Sequence, residues 1–191
     1  LQVHCCLLAL TIGRPVKMQY GREESFLGHV HRHPAKIWMR HHATKAGKIQ
    51  RIEARMVFDG GAYTSTSPAV LINGITHAQG PYACEHATVD GWAVRTNNLP
   101  SGAMRGFGVV QACFAHESQM DRLAAACGLD PVEIRRRNHI PPGAMPYKAP
   151  SGMEYDSGEF TALLDKAIAS SDWGGYEQRK RDSKARGKLR G

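Results

Sequence analysis

The sequence lacks paired cysteine motifs and long apolar runs, and both absences exclude classes of protein. Its five cysteines are odd in number and show no C-x-x-C spacing: Cys5, Cys6, Cys84, Cys113 and Cys127. This pattern favours a reduced, cytoplasmic chain without a disulfide framework. There is no run of about 18 apolar residues, and no charged segment precedes an apolar core, so neither a membrane span nor export is expected.

The excess of basic residues is concentrated near the end of the chain. The formal net charge is +8, and the stretch from Arg179 to Arg190 contains seven basic residues and one acid, Asp182. We expect a domain over residues 1–175 and a solvated basic tail, helical or disordered, over 176–191. A nucleic-acid-binding patch is the alternative, but the tail lacks the interleaved aromatic residues typical of such patches.

Both ends of the sequence resemble cuts through a longer polypeptide. The chain opens at Leu1, inside an apolar helical pattern, and stops at Gly191 in basic coil. We therefore expect an internal segment of a larger protein.

Hydrophobic periodicity predicts an α+β fold, with a mixed sheet, a hairpin and packed helices. Residues 35–43 and 49–59 alternate as half-buried strands joined by a turn at 46–47. The inward face of the second strand consists of Ile52, Ala54, Met56 and Phe58. The other predicted elements are strands at 14–20 and 87–96, a buried helix at 2–12, and helices at 23–26, 69–78, 109–127, 131–138 and 159–170. Residues 139–158 are predicted to form a long loop.

Three alternating histidines raise the question of a metal site. His29, His31 and His33 would share one face of an extended segment, and His41 or His42 could add a ligand for zinc. Zinc sites also need correctly spaced ligands from a second element, and none is visible. A polar edge strand is therefore favoured over a zinc site.

A glycine-rich loop is the strongest functional signal in the sequence. The run Gly102-Ala103-Met104-Arg105-Gly106-Phe107-Gly108 directly precedes the long helical pattern of 109–127. Glycines allow close backbone approach to a ligand, and a helix start offers unpaired N–H groups. With one arginine and one aromatic residue, the loop suits an anionic cofactor beside a flat substrate.

An RNA-binding module is the alternative interpretation of the same loop. Residues 105–110 resemble the first half of an RNA-recognition strand, and the basic tail would add affinity for phosphates. Against this, Val109 and Ala112 stand where stacking aromatic residues are wanted, and the periodicity after them is helical.

The loop also resembles the A-F-R-G-F-G-x-x-Q loop of the molybdenum hydroxylases. These are the molybdopterin-binding large subunits of the xanthine dehydrogenase and aldehyde oxidase family. Further similar motifs follow in the family's order: G-R-P-V at 13–16, R-H-P at 32–34, D-G-G-A-Y at 59–63, G-P-Y at 80–82, T-N-N-L-P at 96–100 and Y-D-S-G at 155–158. A single R-G-F-G would be a weak signal, whereas the ordered series is specific.

The resemblance implies roles for individual residues. The residues implied to contact the molybdenum–molybdopterin cofactor are Ala103, Met104, Arg105, Gly106 and Gln111, with the backbone of Arg105 at the metal centre. Phe107 is implied to pack on a flat substrate. The family's general-base glutamate lies beyond Gly191, so no catalytic residue is expected here and the 191-residue chain alone is expected to be inactive.

The resemblance also implies a reaction and a set of partners. The reaction is hydroxylation of an N-heterocycle, purine-like, or of an aldehyde, with water as the oxygen source. FAD and [2Fe-2S] clusters on partner subunits or domains would receive the electrons. The expected partners are those modules, the rest of the large subunit and a small-molecule substrate, in a dimer of complexes, without membrane or nucleic acid.

Overall fold

A three-stranded mixed sheet forms the centre of the computed structural model, which describes residues 1–191. Strand β1 (Ala35–Ala43) pairs antiparallel with β2 (Ile49–Gly61), and β3 (His86–Arg95) runs parallel to β2 on its other side. The connection between β2 and β3 passes through helix α3 (Ser67–Thr76). The predicted hairpin and mixed sheet are confirmed, and one β-α-β unit is added to them.

The remaining elements surround the sheet or extend from it. Two helices precede the sheet, α1 (Gln2–Ile12) and α2 (Arg22–Gly28). After it come α4 (Val109–Cys127), α5 (Pro131–Asn138), a short ladder of β4 (Tyr147–Lys148) with β5 (Glu154–Tyr155), α6 (Phe160–Ser170) and α7 (Tyr176–Ala185). Single 3₁₀ turns occur at Pro142–Ala144 and Trp173–Gly175.

Helices α3 and α4 cover one face of the sheet and build the core with it. The predicted inward residues of β2 are all buried, because a strand with one covered face alternates its apolar side chains toward that face. One core cluster consists of Ile49, Ile52, Tyr82, Cys84, Met120, Leu123, Ala124 and Ile134. The second consists of Met56, Phe58, Val70, Leu71, Ala78 and Ala112. On the opposite face of the sheet, Trp38 and Trp92 remain exposed.

Local sequence signals set the boundaries of α4 and α5. Helix α4 ends at Gly128, which adopts the left-handed conformation typical of a residue after a helix. Asp130 caps α5 by accepting hydrogen bonds from the backbone N–H groups of Val132 and Glu133. At the far end, Asn138 ties α5 to the hairpin by donating to the Gly47 carbonyl at 2.8 Å.

Two expectations for the first 20 residues are wrong. Helix α1 forms at the predicted place, but none of its residues is buried, because no other helix or strand of the chain covers it. Residues 14–20 form no strand, since Pro15 has no N–H to donate and no neighbouring strand is available to pair with them.

Residues 139–158 are more ordered than predicted, whereas the tail adopts one of its two predicted forms, a helix. The predicted long loop at 139–158 contains the β4–β5 ladder, in which Tyr147 pairs with Tyr155. The basic tail forms helix α7, whose first residue, Tyr176, stacks on Trp173 with ring centroids 5.3 Å apart. No helix of the chain combines the length and apolar character needed to cross a membrane.

Candidate functional site

The glycine-rich loop adopts an uncommon backbone conformation. Gly106, Phe107 and Gly108 are consecutive residues with positive φ angles of 88°, 46° and 97°. Phe107 is strained there, because a non-glycine residue rarely adopts this region. A Cβ atom on Gly108 would lie 2.2 Å from the Val70 carbonyl oxygen, so only glycine fits where the loop meets α3.

Two side chains from distant parts of the chain hold the carbonyl groups of the loop. The Nη2 atom of Arg32 donates to the Arg105 carbonyl at 2.5 Å. The Nδ2 atom of Asn73, on α3, donates to the Phe107 carbonyl at 2.8 Å. Within the loop, the Phe107 N–H donates to the Met104 carbonyl at 2.7 Å. Alternate peptide units of the loop are therefore anchored from outside.

The segment leading into the loop is fixed as well. The Asp59 carboxylate accepts hydrogen bonds from the Thr96 hydroxyl, the Asn98 side-chain amide and the Gly61 N–H. These three bonds lower the pKa of Asp59 below its ordinary value. Further on, the Gly102 N–H donates to the His31 carbonyl at 2.9 Å. The loop therefore begins from an anchored position.

Most backbone N–H groups around the loop have no acceptor within the chain. The unpaired donors belong to Ala103, Met104, Arg105, Gly106, Gly108, Val110 and Gln111. The last two lie in the first turn of α4, at the positive end of the helix dipole. Such a concentration of unpaired donors suits a ligand rich in anionic or carbonyl oxygens.

Two buried side-chain atoms beside the loop also lack partners. They are Arg32 Nη1 and Gln111 Oε1. The Nε2 atom of Gln111 donates to the His33 carbonyl at 3.1 Å, which fixes the side chain and leaves its oxygen unused. Because a buried polar group without a partner is costly, a bound group that paired with this donor and this acceptor would stabilise the site.

The predicted site residues differ in how they are placed. Ala103, Arg105 and Gly106 are exposed, whereas Met104, Phe107 and Gln111 are partly buried. The Phe107 ring packs against the second core cluster, so this residue also contributes to the core. The sequence did not single out Arg32 as a site residue, or Asn73 as a residue that holds the loop. The R-H-P motif at 32–34 is the signal that could have identified Arg32.

The histidines do not form a metal centre. His33 is buried and its Nε2 lies 2.8 Å from the Ser67 hydroxyl, while His31 Nε2 lies 2.9 Å from the Phe26 carbonyl. Burial lowers the pKa of His33, and a weaker attraction from Asp59 opposes this. No three His, Cys, Asp or Glu side chains of the chain come together as a metal site.

The RNA-recognition alternative is not supported by the secondary structure around the loop. An RNA-recognition segment of this pattern would place its aromatic residues on a β-strand. Here the chain turns at residues 105–108 and enters helix α4 at Val109. The R-G-F-G run is therefore a helix-entry loop.

A second polar cluster lies between α4 and α5. The Glu117 carboxylate accepts a hydrogen bond of 2.7 Å from the Tyr82 hydroxyl and one of 2.8 Å from Arg135 Nε. Burial would raise the pKa of Glu117, but hydrogen bonds from His116, Tyr82 and Arg135 outweigh burial and lower this pKa to about 2. The Tyr82 hydroxyl and the Arg135 guanidinium both donate to carboxylates or carbonyls, so this cluster joins the two helices.

Comparison with known proteins identifies the family of this chain. The family described as molybdopterin cofactor-binding domain matches residues 1–139. The nicotinate dehydrogenase large molybdopterin subunit of Eubacterium barkeri is 46% identical over 143 residues, covering 75% of this chain and 34% of that protein.

Solved structures of related enzymes share the fold. Quinoline 2-oxidoreductase from Pseudomonas putida 86 superposes with a TM-score of 0.83 and 30% sequence identity. The superposition covers 97% of this chain and 24% of the quinoline 2-oxidoreductase chain. Aldehyde oxidoreductase from Desulfovibrio gigas superposes with a TM-score of 0.81 and 26% sequence identity, over 93% of this chain and 19% of the aldehyde oxidoreductase chain. The chain thus spans between 19% and 34% of the length of these three relatives. It belongs to the molybdopterin cofactor-binding domain family of the molybdenum hydroxylases.

Proposed function

We propose that this chain supplies the cofactor-contacting loop of a molybdenum hydroxylase that oxidises an N-heterocycle or an aldehyde with water as the oxygen source. The observation that carries the proposal is the run of unpaired backbone donors over residues 103–111, in a member of the molybdopterin-binding family. The relatives named for nicotinate, quinoline and aldehyde support the two substrate classes.

The residues of the loop fit the cofactor by their hydrogen-bonding chemistry. When bound, the molybdenum–molybdopterin group supplies the two-electron oxidation, and the protein binds and orients it. The residues that hold it in this proposal are Ala103, Met104, Arg105, Gly106 and Gln111. The first four offer backbone N–H groups, with Arg105 beside the metal, and Gln111 adds the unused acceptor Oε1.

Phe107 is proposed to orient the substrate. Its ring is only partly buried, and the second core cluster supports it from within. An aromatic ring held rigidly in this way orients a flat heterocycle by offset stacking. The same contact contributes little to the binding of a small aldehyde, which has no ring to stack.

The complete enzyme is proposed to include components beyond these 191 residues. FAD and [2Fe-2S] clusters on partner subunits or domains would accept the electrons, and the rest of the large subunit would supply the general base. We propose a dimer of such complexes in the cytoplasm. The 191-residue chain alone is expected neither to turn over substrate nor to retain stoichiometric molybdenum, and stoichiometric metal in the purified chain would contradict this.

The substrate class can be tested in the intact complex with nicotinate, hypoxanthine and acetaldehyde as probes. Phe107→Ala is expected to lower kcat/KM for the ring substrates about fivefold more than for acetaldehyde, since one stacking contact is worth about 1 kcal/mol beyond burial. Phe114→Ala, on an exposed aromatic of α4, is the matched control. Equal losses on all three probes would contradict the stacking role, and a complex without molybdenum would contradict the proposed function.

A further inference from the structure

Arg32 has an unusual position for an arginine. Its Nη2 donates to the Arg105 carbonyl at 2.5 Å, while its Nη1 is buried without an acceptor. No carboxylate lies within salt-bridge distance of it. A guanidinium normally binds carboxylate or phosphate with both arms. Here one arm holds the backbone and the other is unused.

The residues on either side fix where the Arg32 side chain starts. His31 forms a bridge with Ser101, in which the His31 N–H donates to the Pro100 carbonyl and its carbonyl accepts from Gly102. His33 is buried against Phe58 and the Ser67 hydroxyl. The backbone from which the Arg32 side chain extends is therefore held by the fold on both sides.

Through the planar peptide unit between Arg105 and Gly106, the hydrogen bond from Arg32 also fixes the direction of the Gly106 N–H. The peptide bond between Arg105 and Gly106 is trans, so its N–H points opposite to its carbonyl. When Arg32 holds the Arg105 carbonyl, it also sets the direction of the Gly106 N–H. That N–H has no acceptor in the chain, and Gly106 is exposed.

We propose that Arg32 is a positioning residue that aims the Gly106 N–H at an oxygen of the bound cofactor. The inference rests on the proposed function, since the ligand is the molybdenum–molybdopterin group. Asn73 makes the equivalent contact at the Phe107 carbonyl, but the following Gly108 N–H is buried. Arg32 is thus the side chain that orients an accessible N–H.

The test measures molybdenum content and hydrogen exchange in the intact complex. Arg32→Met, which removes the donors but keeps the length, is expected to lower the retained molybdenum about tenfold, the scale for outer partners of a metal site. Arg32→Lys keeps one donor nitrogen and is expected to retain more molybdenum than Arg32→Met. Arg14→Ala, at an exposed arginine without a hydrogen bond, is the control. Wild-type molybdenum content in folded Arg32→Met overturns the inference, as does equal loss in the Met and Lys variants.

Hydrogen exchange separates this inference from the proposed function, because it needs no cofactor. In the cofactor-free protein, Arg32→Met is expected to speed exchange of the Phe107 and Val109 amides, which donate to Met104 and Gly106. Unchanged exchange overturns the positioning role even if the wild type holds molybdenum. If the wild-type complex contains no molybdenum, the proposed function and the identity of the ligand are both contradicted. Faster amide exchange in Arg32→Met would still show that Arg32 holds the loop.

Discussion

The side-chain amide of Asn73 donates a 2.8 Å hydrogen bond to the backbone carbonyl of Phe107. The two residues are 34 positions apart, and their bond joins helix α3 to the candidate cofactor loop at its strained residue. Gly108, the next residue, touches the same helix so closely that no side chain fits. The loop thus owes its shape to α3 as much as to its own glycines.

Removing this amide is expected to loosen the loop. Asn73→Ala leaves the Phe107 carbonyl without its donor and should lower the free energy of unfolding by about 1–2 kcal/mol. Asn73→Asp should cost more, because a carboxylate would face the carbonyl oxygen. Urea unfolding measures both. Asn97→Ala, at an exposed residue, is the control, and equal stability of the Ala and Asp variants would contradict the assigned donor.

Gly108 is expected to tolerate no side chain. Gly108→Ala forces a Cβ toward the Val70 carbonyl oxygen at a φ of 97°, so the variant should lose about 2 kcal/mol or more of stability. Gly143 has open space around it, and Gly143→Ala should stay within about 0.5 kcal/mol of the wild type. The melting temperatures of the two variants measure the difference. A Gly108→Ala variant as stable as Gly143→Ala would refute the close approach of Gly108 to Val70.

The cluster around Glu117 is expected to make the stability of the protein fall at acidic pH. The pKa of this carboxyl is lowered to about 2, so its contribution is complete above the unfolded-state pKa of about 4.3 and is lost as the pH falls toward 2. Glu117→Gln should cost about 1–2 kcal/mol at pH 7, an amount reduced for partial exposure, and the difference should shrink below pH 4.

A surface pair provides the control for Glu117. Glu133 contacts Arg137 one helical turn away, with both side chains exposed. Glu133→Gln should therefore change stability by less than about 0.5 kcal/mol at any pH. Denaturant titrations from pH 3 to 7 measure both variants, and a pH-independent loss in Glu117→Gln would rule out the linkage.

His41 is expected to destabilise the fold as the pH falls. Burial, and then the nearby His116, lower the pKa of His41 to about 4, and neither ring nitrogen has a partner. Since the unfolded chain binds this proton near pH 6.5, stability should fall by about 1–3 kcal/mol between pH 6.5 and 4. His41→Phe should remove most of this slope in melting temperature. His4→Gln, at an exposed histidine of α1, should leave it unchanged, and the opposite ranking would contradict the burial.

Elements with a strong local pattern follow from the sequence. Helix α4 occupies the predicted residues, Asp130 caps α5, and the inward face of β2 is as expected. Periodicity and capping depend on neighbours within a few residues, so the sequence carries them directly. Burial of α1 and a strand at 14–20 were wrong because both depend on whether a distant partner exists.

The sequence by itself determined that a glycine-rich loop with one arginine and one aromatic enters a helix, and its ordered motifs determined the family. Only the tertiary structure decided that Arg32 and Asn73 hold that loop, from 73 and 34 residues away. The physical reason is that a hydrogen bond depends on position and direction in space, and the folding of β1, α3 and α4 onto one core brings these groups together. The glycines permit the conformation, while the distant side chains select it.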